Sequence, residues 1–226
     1  MKLEDKIVVI TGGSKGLGKA LATRFLKDGA KVVVCSRDEN RPEDLEENIF
    51  WIKADVTKED ELQNLAEKVV AKFGKLDIWI NNAGVLYRFP KGELINMEKA
   101  HQMFDVNFFG TVFGCRNAIK YMSHDNKSMI VNIISTAGLD ATRAVDHKLY
   151  ASSKWAVRGF LQAFQFENID SKIKFISVYP GGMQTNLFNE EKPENYKNYM
   201  DPNEVANKII ENLKKEIPEE ELIIKR

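Results

Sequence analysis

The sequence predicts an α/β fold, a doubly wound parallel sheet with helices on both faces, and three observations carry that expectation. An apolar strand, Ile7-Val8-Val9-Ile10, runs straight into the glycine turn Thr11-Gly12-Gly13-Ser14-Lys15-Gly16-Leu17-Gly18, and a helix runs out of it. Strand-like and helix-like stretches then alternate along the chain, the pattern of right-handed βαβ units. Polar residues out of place in a core (Asp55, Asn81, Asn82, Ser135) fall at the ends of predicted strands, as does Pro180-Gly181. Ligands of open parallel sheets bind at those ends.

After Gly18, the residues Ala20, Leu21, Phe25 and Leu26 recur at helical spacing, and Gly29 is placed to stop the helix. A second strand spans Lys31 to Cys35, and a polar stretch through Asn48 leads to a third, Ile49 to Ile52. Thr57 reads as an N-cap with Asp60 three residues on, and Leu62, Leu65, Ala66, Val69, Val70 and Phe73 form the inner face of the helix that Gly74 closes. The fourth strand, Leu76 to Ile80, ends in Asn81-Asn82-Ala83-Gly84. From Glu98 to Met122 runs a helix apolar nearly all round, so its outer side is expected to be covered by a second subunit, the alternative being loops of its own chain. The fifth strand, Met129 to Ile134, ends at Ser135, and a helix carrying Tyr150, Lys154, Trp155, Val157, Phe160, Leu161 and Phe164 follows. The sixth strand spans Phe175 to Val178, while Met183 to Met200 shows no clear period. Pro202 opens a last helix with Val205 to Leu213 inside, and Leu222-Ile223-Ile224 makes a closing strand. Without a linker, repeat or low-complexity stretch, the 226 residues are expected to form one domain.

The 33 basic and 33 acidic side chains cancel, so nothing in the charge points to nucleic acid as a partner. Cys35 and Cys115 sit in apolar runs and read as core thiols of a reducing compartment. The first strand leaves no room for a cleaved signal, and no apolar run approaches the roughly 18 residues that span a bilayer, so a cytoplasmic protein is expected. His101 and His124 are unremarkable, and no Cys/His/Asp spacing suggests a metal.

The glycine turn lets the backbone bend sharply and brings its N–H groups close to an anion, with the positive end of the following helix aimed at the same spot. Tyr150 and Lys154 are four apart, so on a helix they share a face. A phenol of pKa about 10 is a poor acid or base at neutral pH, and a neighbouring ammonium is expected to lower that value.

In these markers the sequence resembles the short-chain dehydrogenase/reductase family over nearly its whole length. They occur in the family's order: Thr11-Gly12-x-x-x-Gly16-x-Gly18, Asp55, Asn82-Ala83-Gly84, Asn107, Ser135, Tyr150-x-x-x-Lys154 and Pro180-Gly181-x-Met183-x-Thr185. The resemblance implies a Rossmann-like sheet of about seven strands in the order 3-2-1-4-5-6-7. It implies that Tyr150 passes a proton to or from the substrate oxygen, and that Ser135 hydrogen-bonds that oxygen. Lys154 would lower the Tyr150 pKa and bind the nicotinamide ribose. Asn107 would hold a relay water at a helix distortion, the alternative being an interhelical hydrogen bond. The turn from Gly12 through Ser14, Lys15, Gly16 and Leu17 to Gly18 would hold the pyrophosphate. Asp55 and Val56 would meet the adenine, unless Asp55 merely caps its strand, and Asn82, Ala83 and Gly84 would lie along the ribose. Pro180, Gly181, Met183 and Thr185 would reach the carboxamide end.

At the end of the second strand, Ser36 and Arg37, with Lys15 across the turn, favour NADP(H); a shifted turn would bring in Asp38 and admit NAD(H). The substrate pocket is expected between Gly138 to His147, Val85 to Phe89 and Met183 to Met200. Leu139, Val145, Tyr87, Met183, Leu187 and Phe188 would wall it for a mostly apolar ketone, aldehyde or secondary alcohol. Arg88, Arg143 and His147 read as solvated loop residues, with a grip on an anionic group the alternative. The chain stops soon after Ile224 without the glycine-containing tail of many relatives, which leaves a homodimer and a homotetramer equally expected. A cofactor-sensing regulator without turnover is the competing class. A methyltransferase with a similar turn has no use for Tyr150 and Lys154.

Overall fold

The computed structural model describes residues 2–123, 128–142, 144, 146–188 and 192–226. Seven parallel strands, β1 (Ile7–Thr11), β2 (Lys31–Ser36), β3 (Phe50–Lys53), β4 (Ile78–Asn81), β5 (Met129–Ile133), β6 (Lys174–Pro180) and β7 (Glu221–Ile224), form one sheet in the order β3-β2-β1-β4-β5-β6-β7. The winding reverses between β1 and β4, which opens a crevice outside their carboxyl ends.

Helices cover both faces. On one face α1 (Gly16–Lys27) and α6 (Pro202–Lys214) press Leu21, Phe25, Ile209 and Leu213 onto Val8, Ile10, Val32 and Val34. On the other, α2 (Glu59–Phe73) and two later helices press Leu62, Leu65, Cys115 and Val157 onto Ile7, Val9, Val33 and Trp79. Successive β1 side chains thus enter opposite cores, which is why that strand reads as an unbroken apolar run. Beneath β1, the Asp77 carboxylate accepts from the Ile7 N–H (2.8 Å) and pairs with Lys6 (2.8 Å) and Lys75 (2.9 Å). Burial alone would raise its carboxyl, but these donors outweigh burial and hold it below the ordinary value.

Two expectations are corrected at helix starts. Thr57 does not cap α2: Lys58 precedes the helix without a side-chain cap, and the Thr57 hydroxyl donates instead to Asp55 Oδ1 (2.9 Å). Glu59, Asp60 and Glu61 in the first turn favour the helix start by complementing its dipole. The run expected as one helix from Glu98 to Met122 is three pieces: α3 (Met97–Phe104), a π-turn over Asp105–Phe109, and α4 (Gly110–Tyr121). Asn96 caps the start of α3, its side chain accepting from the Lys99 N–H (3.0 Å). Phe109 on this run and Trp155 on α5 (Lys148–Glu167) are nearly half exposed. His124, Arg143 and Val145 lie outside the described residues, and among the described residues no helix is long and apolar enough to cross a membrane.

Candidate active site

The glycine turn after β1, the ends of the other six strands and the start of α5 line one cleft of about 1240 Å³. Gly12 (φ +64°) and Gly16 (φ +57°) give the turn its left-handed backbone. A Cβ on Gly18 would lie 2.3 Å from the Gly12 carbonyl oxygen and 2.5 Å from Asn82 Nδ2, so no larger residue fits there. Asn82 locks the turn from β4, its Nδ2 donating to the Thr11 (2.9 Å) and Gly12 (3.1 Å) carbonyls. The first turn of α1 has neither a side-chain cap nor an acidic residue, leaving its N–H groups to a ligand in the cleft. Those donors and the Lys15 and Arg37 side chains lining the same end fit the phosphates of a dinucleotide.

Ser36 closes this end, and beside it in the cleft wall stands Asp38, the residue whose entry would admit NAD(H). Hydrogen bonds from Ser36 first, then Ser14, together with the Lys15 ammonium, hold the Asp38 carboxyl below its ordinary value. Ala54 and Val56 line the cleft, whereas Asp55 between them does not. Its Oδ1 accepts from the Thr57 N–H (3.0 Å) and hydroxyl (2.9 Å), the strand-end capping arrangement.

At the other end, α5 presents Tyr150 and Lys154 one turn apart, both buried. The Tyr150 ring is set among Leu86, Phe89, Ala100 and Met103, and Ser135, just past β5, hydrogen-bonds its hydroxyl. Lys154 Nζ lies 5.7 Å from the centre of the Tyr150 ring and donates to the Ile133 carbonyl (3.2 Å). The expected lowering of the phenol pKa by this amine is corrected in the open cleft. Burial pushes Tyr150 up to about 12, with Ser135 opposing, and pushes the Lys154 amine down to about 8. The reason is geometric: the ammonium stands over the ring, tied to a backbone carbonyl, and both groups have lost water.

Asn107 is fully buried in the π-turn and does not line the cleft. Its Oδ1 accepts from the Val85 N–H (2.9 Å), and its Nδ2 donates to the Val85 carbonyl (3.0 Å) and Ser153 Oγ (3.1 Å). Ser153 in turn donates to the Tyr150 carbonyl (2.7 Å), so Asn107 ties the loop after β4 to the helix that bears the phenol. Gly84, Ala83, Pro180, Gly181, Met183 and Thr185 all line the cleft, as does Leu17.

The remaining wall holds Leu86, Tyr87, Leu139, Leu187, Phe188 and Tyr199. Of these, Leu86 and Tyr199 were not singled out in the sequence, because nothing in a loop's periodicity marks an inward side chain. The segment after β6 leaves and rejoins the wall at a neck, where the Gln184 N–H donates to the Met200 carbonyl and the Met200 N–H to the Gly182 carbonyl (both 3.0 Å). Arg88 is not a free anion grip, because it pairs with Asp146 at 2.7 Å. His147 is no solvated loop residue either: it is half-buried in the cleft wall.

A glycine cradle and a buried phenol–amine pair facing one cleft at the sheet's switch point are the arrangement of an oxidoreductase. Residues 6–196 match the short chain dehydrogenase family, and the chain belongs to it. It is 31% identical over 225 residues to the uncharacterised oxidoreductase YxnA of Bacillus subtilis, covering 92% of this chain but only 62% of that relative's length. An alcohol dehydrogenase from Thermococcus sibiricus, solved with 5-hydroxy-NADP, superposes with a TM-score of 0.85 at 27% identity, over 98% of this chain and 96% of its own. A 3-ketoacyl-(acyl-carrier-protein) reductase from Brucella melitensis, solved with NADH, gives 0.87 at 26% identity, over 98% and 97%.

Proposed function

We propose that this protein is an NADP(H)-dependent carbonyl reductase, working reversibly as an alcohol dehydrogenase. The observation that carries the reading is that Tyr150, Ser135 and Lys154 face the same cleft as the glycine cradle. When bound, the nicotinamide supplies or accepts the hydride. The chain's own residues then handle the proton and the charge. A phenol kept protonated up to about pH 12 is in the form that donates to the oxygen of a carbonyl being reduced. Ser135 adds a second hydrogen bond to that oxygen as negative charge builds on it. Lys154, buried with one carbonyl partner, has N–H donors left for the nicotinamide ribose and a charge that favours the phenolate formed. The relatives solved with 5-hydroxy-NADP and with NADH support a nicotinamide cofactor of either form.

Preference for the phosphorylated form rests on Arg37, Lys15, Ser14 and Ser36 around one corner of the cleft. A 2′-phosphate there would take the place that Asp38 now fills as the anion between Ser14, Ser36 and Lys15. Arg37→Asp is expected to raise the NADPH Kd about 100-fold while changing that for NADH less than fivefold, as read by nucleotide fluorescence titration. Equal losses would reject the phosphate assignment.

A cytoplasmic enzyme accords with two free, buried thiols. The reading also includes a homodimer or homotetramer built on the outer faces of the π-turn, α4 and α5, where Phe109 stacks on Phe113 and Phe160 on Phe164. Light scattering is expected to give twice or four times the chain mass, and Phe109→Glu to reduce it. A wild-type monomer, or an assembly indifferent to that substitution, would reject this face.

A further inference from the structure

From the placement of one side chain beside the reacting phenol, we infer that His147 is a substrate-contacting specificity residue that recognises a neutral oxygen on the carbon next to the reacting carbonyl. The preferred substrates are then α-hydroxyketones, α-diketones and the corresponding vicinal diols. The inference rests on the carbonyl reductase reading and narrows its substrate class.

His147 immediately precedes α5, and its backbone already serves that helix, its carbonyl accepting from the Ala151 N–H (3.0 Å). Its side chain does not cap the helix, so the helix gives it no reason to point where it does. The imidazole lines the cleft with its ring centre 6.3 Å from that of Tyr150, tilted by 60°. Among the described residues it has no hydrogen-bond partner, while the polar side chains next to it and on the facing loop after β4 are engaged elsewhere. Tyr87 donates to Gln102 (2.7 Å), Arg88 is held by Asp146, and Lys148 donates to the Phe89 carbonyl (2.9 Å). Leu86, Leu187 and Phe188 pack around the phenol, in a cleft wall that also carries Leu139 and the polar Thr136, Asp140 and Asn186.

Two hydrogen-bonding groups on neighbouring rings of a largely apolar wall suit two oxygens on adjacent carbons, each hydrogen bond spanning about 2.8 Å. The charge state narrows the class further. Burial, then the Arg88 guanidinium, outweigh the Asp146 carboxylate and lower the His147 pKa, so the ring is neutral at pH 7. A neutral imidazole offers one N–H donor and one acceptor nitrogen, which match a hydroxyl or a carbonyl and give a carboxylate no cationic partner. A site with such a group loses that partner when the substrate lacks the oxygen.

The test compares kcat/KM for hydroxyacetone with acetone, and for acetoin with butanone, in the wild type, His147→Leu and His147→Gln. The hydroxyl's own effect on carbonyl reactivity is common to all three proteins and cancels. The expected result is that Leu lowers the hydroxyketone-to-ketone ratio about tenfold, with the plain ketones within threefold, and that Gln, which keeps a donor and an acceptor, retains most of the ratio. An unchanged ratio in the Leu variant, or equal losses on both members of each pair, would overturn the assignment while leaving the carbonyl reductase reading intact. Absence of turnover by the wild type with every carbonyl and either cofactor would overturn that reading and this one with it.

Discussion

Replacing Tyr150 by phenylalanine is expected to lower kcat for ketone reduction about 1000-fold, roughly 4 kcal/mol of transition-state stabilisation, with cofactor Kd changed less than threefold. The substitution removes one oxygen and keeps the ring that fills the pocket of Leu86, Phe89, Ala100 and Met103, so the apolar cluster and the start of α5 stay in place. What is lost is the O–H that Ser135 orients and that a carbonyl oxygen must receive as it becomes an alkoxide. Steady-state rates with a ketone panel and nucleotide titration separate the two effects. A variant retaining a tenth of the wild-type rate would mean that another group, or water, delivers the proton. Cofactor binding with no turnover by either protein would favour a nucleotide sensor.

Lys154→Met is expected to act through pH as well as rate. The buried amine titrates near pH 8, so it is charged below that value and loses its charge above it. Loss of the charge removes the attraction that helps Tyr150 release its proton, and the wild-type rate of reduction should therefore be level below about pH 8 and fall above it. Methionine has nearly the same length and no charge. Its variant should be about 100-fold slower with that limb gone, and with weaker cofactor binding because the amine's spare donors are gone as well. The measurement is kcat/KM for reduction between pH 6 and pH 9.5; the same falling limb in the variant would assign it to another group and remove Lys154 from the proton chemistry.

The sheet was legible because each β1 side chain has a core on one side or the other, leaving an apolar run that no surface strand would carry. The glycine turn was legible because a Cβ at Gly18 has nowhere to go. Three features were not. The π-turn at Asp105–Phe109 inserts one residue's worth of rotation into an otherwise regular apolar helix, which periodicity over such a short span cannot show, although the family resemblance placed a helix distortion at Asn107. Thr57 had the composition of a cap, but its hydroxyl went to Asp55, a contact set by the chain's path out of β3. The raised Tyr150 pKa was missed for a different reason. Spacing on a helix reports that Tyr150 and Lys154 are neighbours, but not that both are dry, and dryness decides the sign.

The neck between Gly182 and Met200 bears on how such a protein changes over time. The excursion between those residues closes on itself through its own backbone, with Gln184 Nε2 also donating to the Lys197 and Tyr199 carbonyls, while Arg226 past β7 reaches its Asn198 carbonyl and Leu187 and Phe188 pack beside the phenol. The nucleotide half is fixed by glycines that tolerate no larger residue; the excursion is held by its own neck and by side chains along the cleft. Selection, or a designer, can therefore rewrite what the protein recognises most cheaply at those side chains of the excursion that face the cleft and leave the neck's backbone bonds alone.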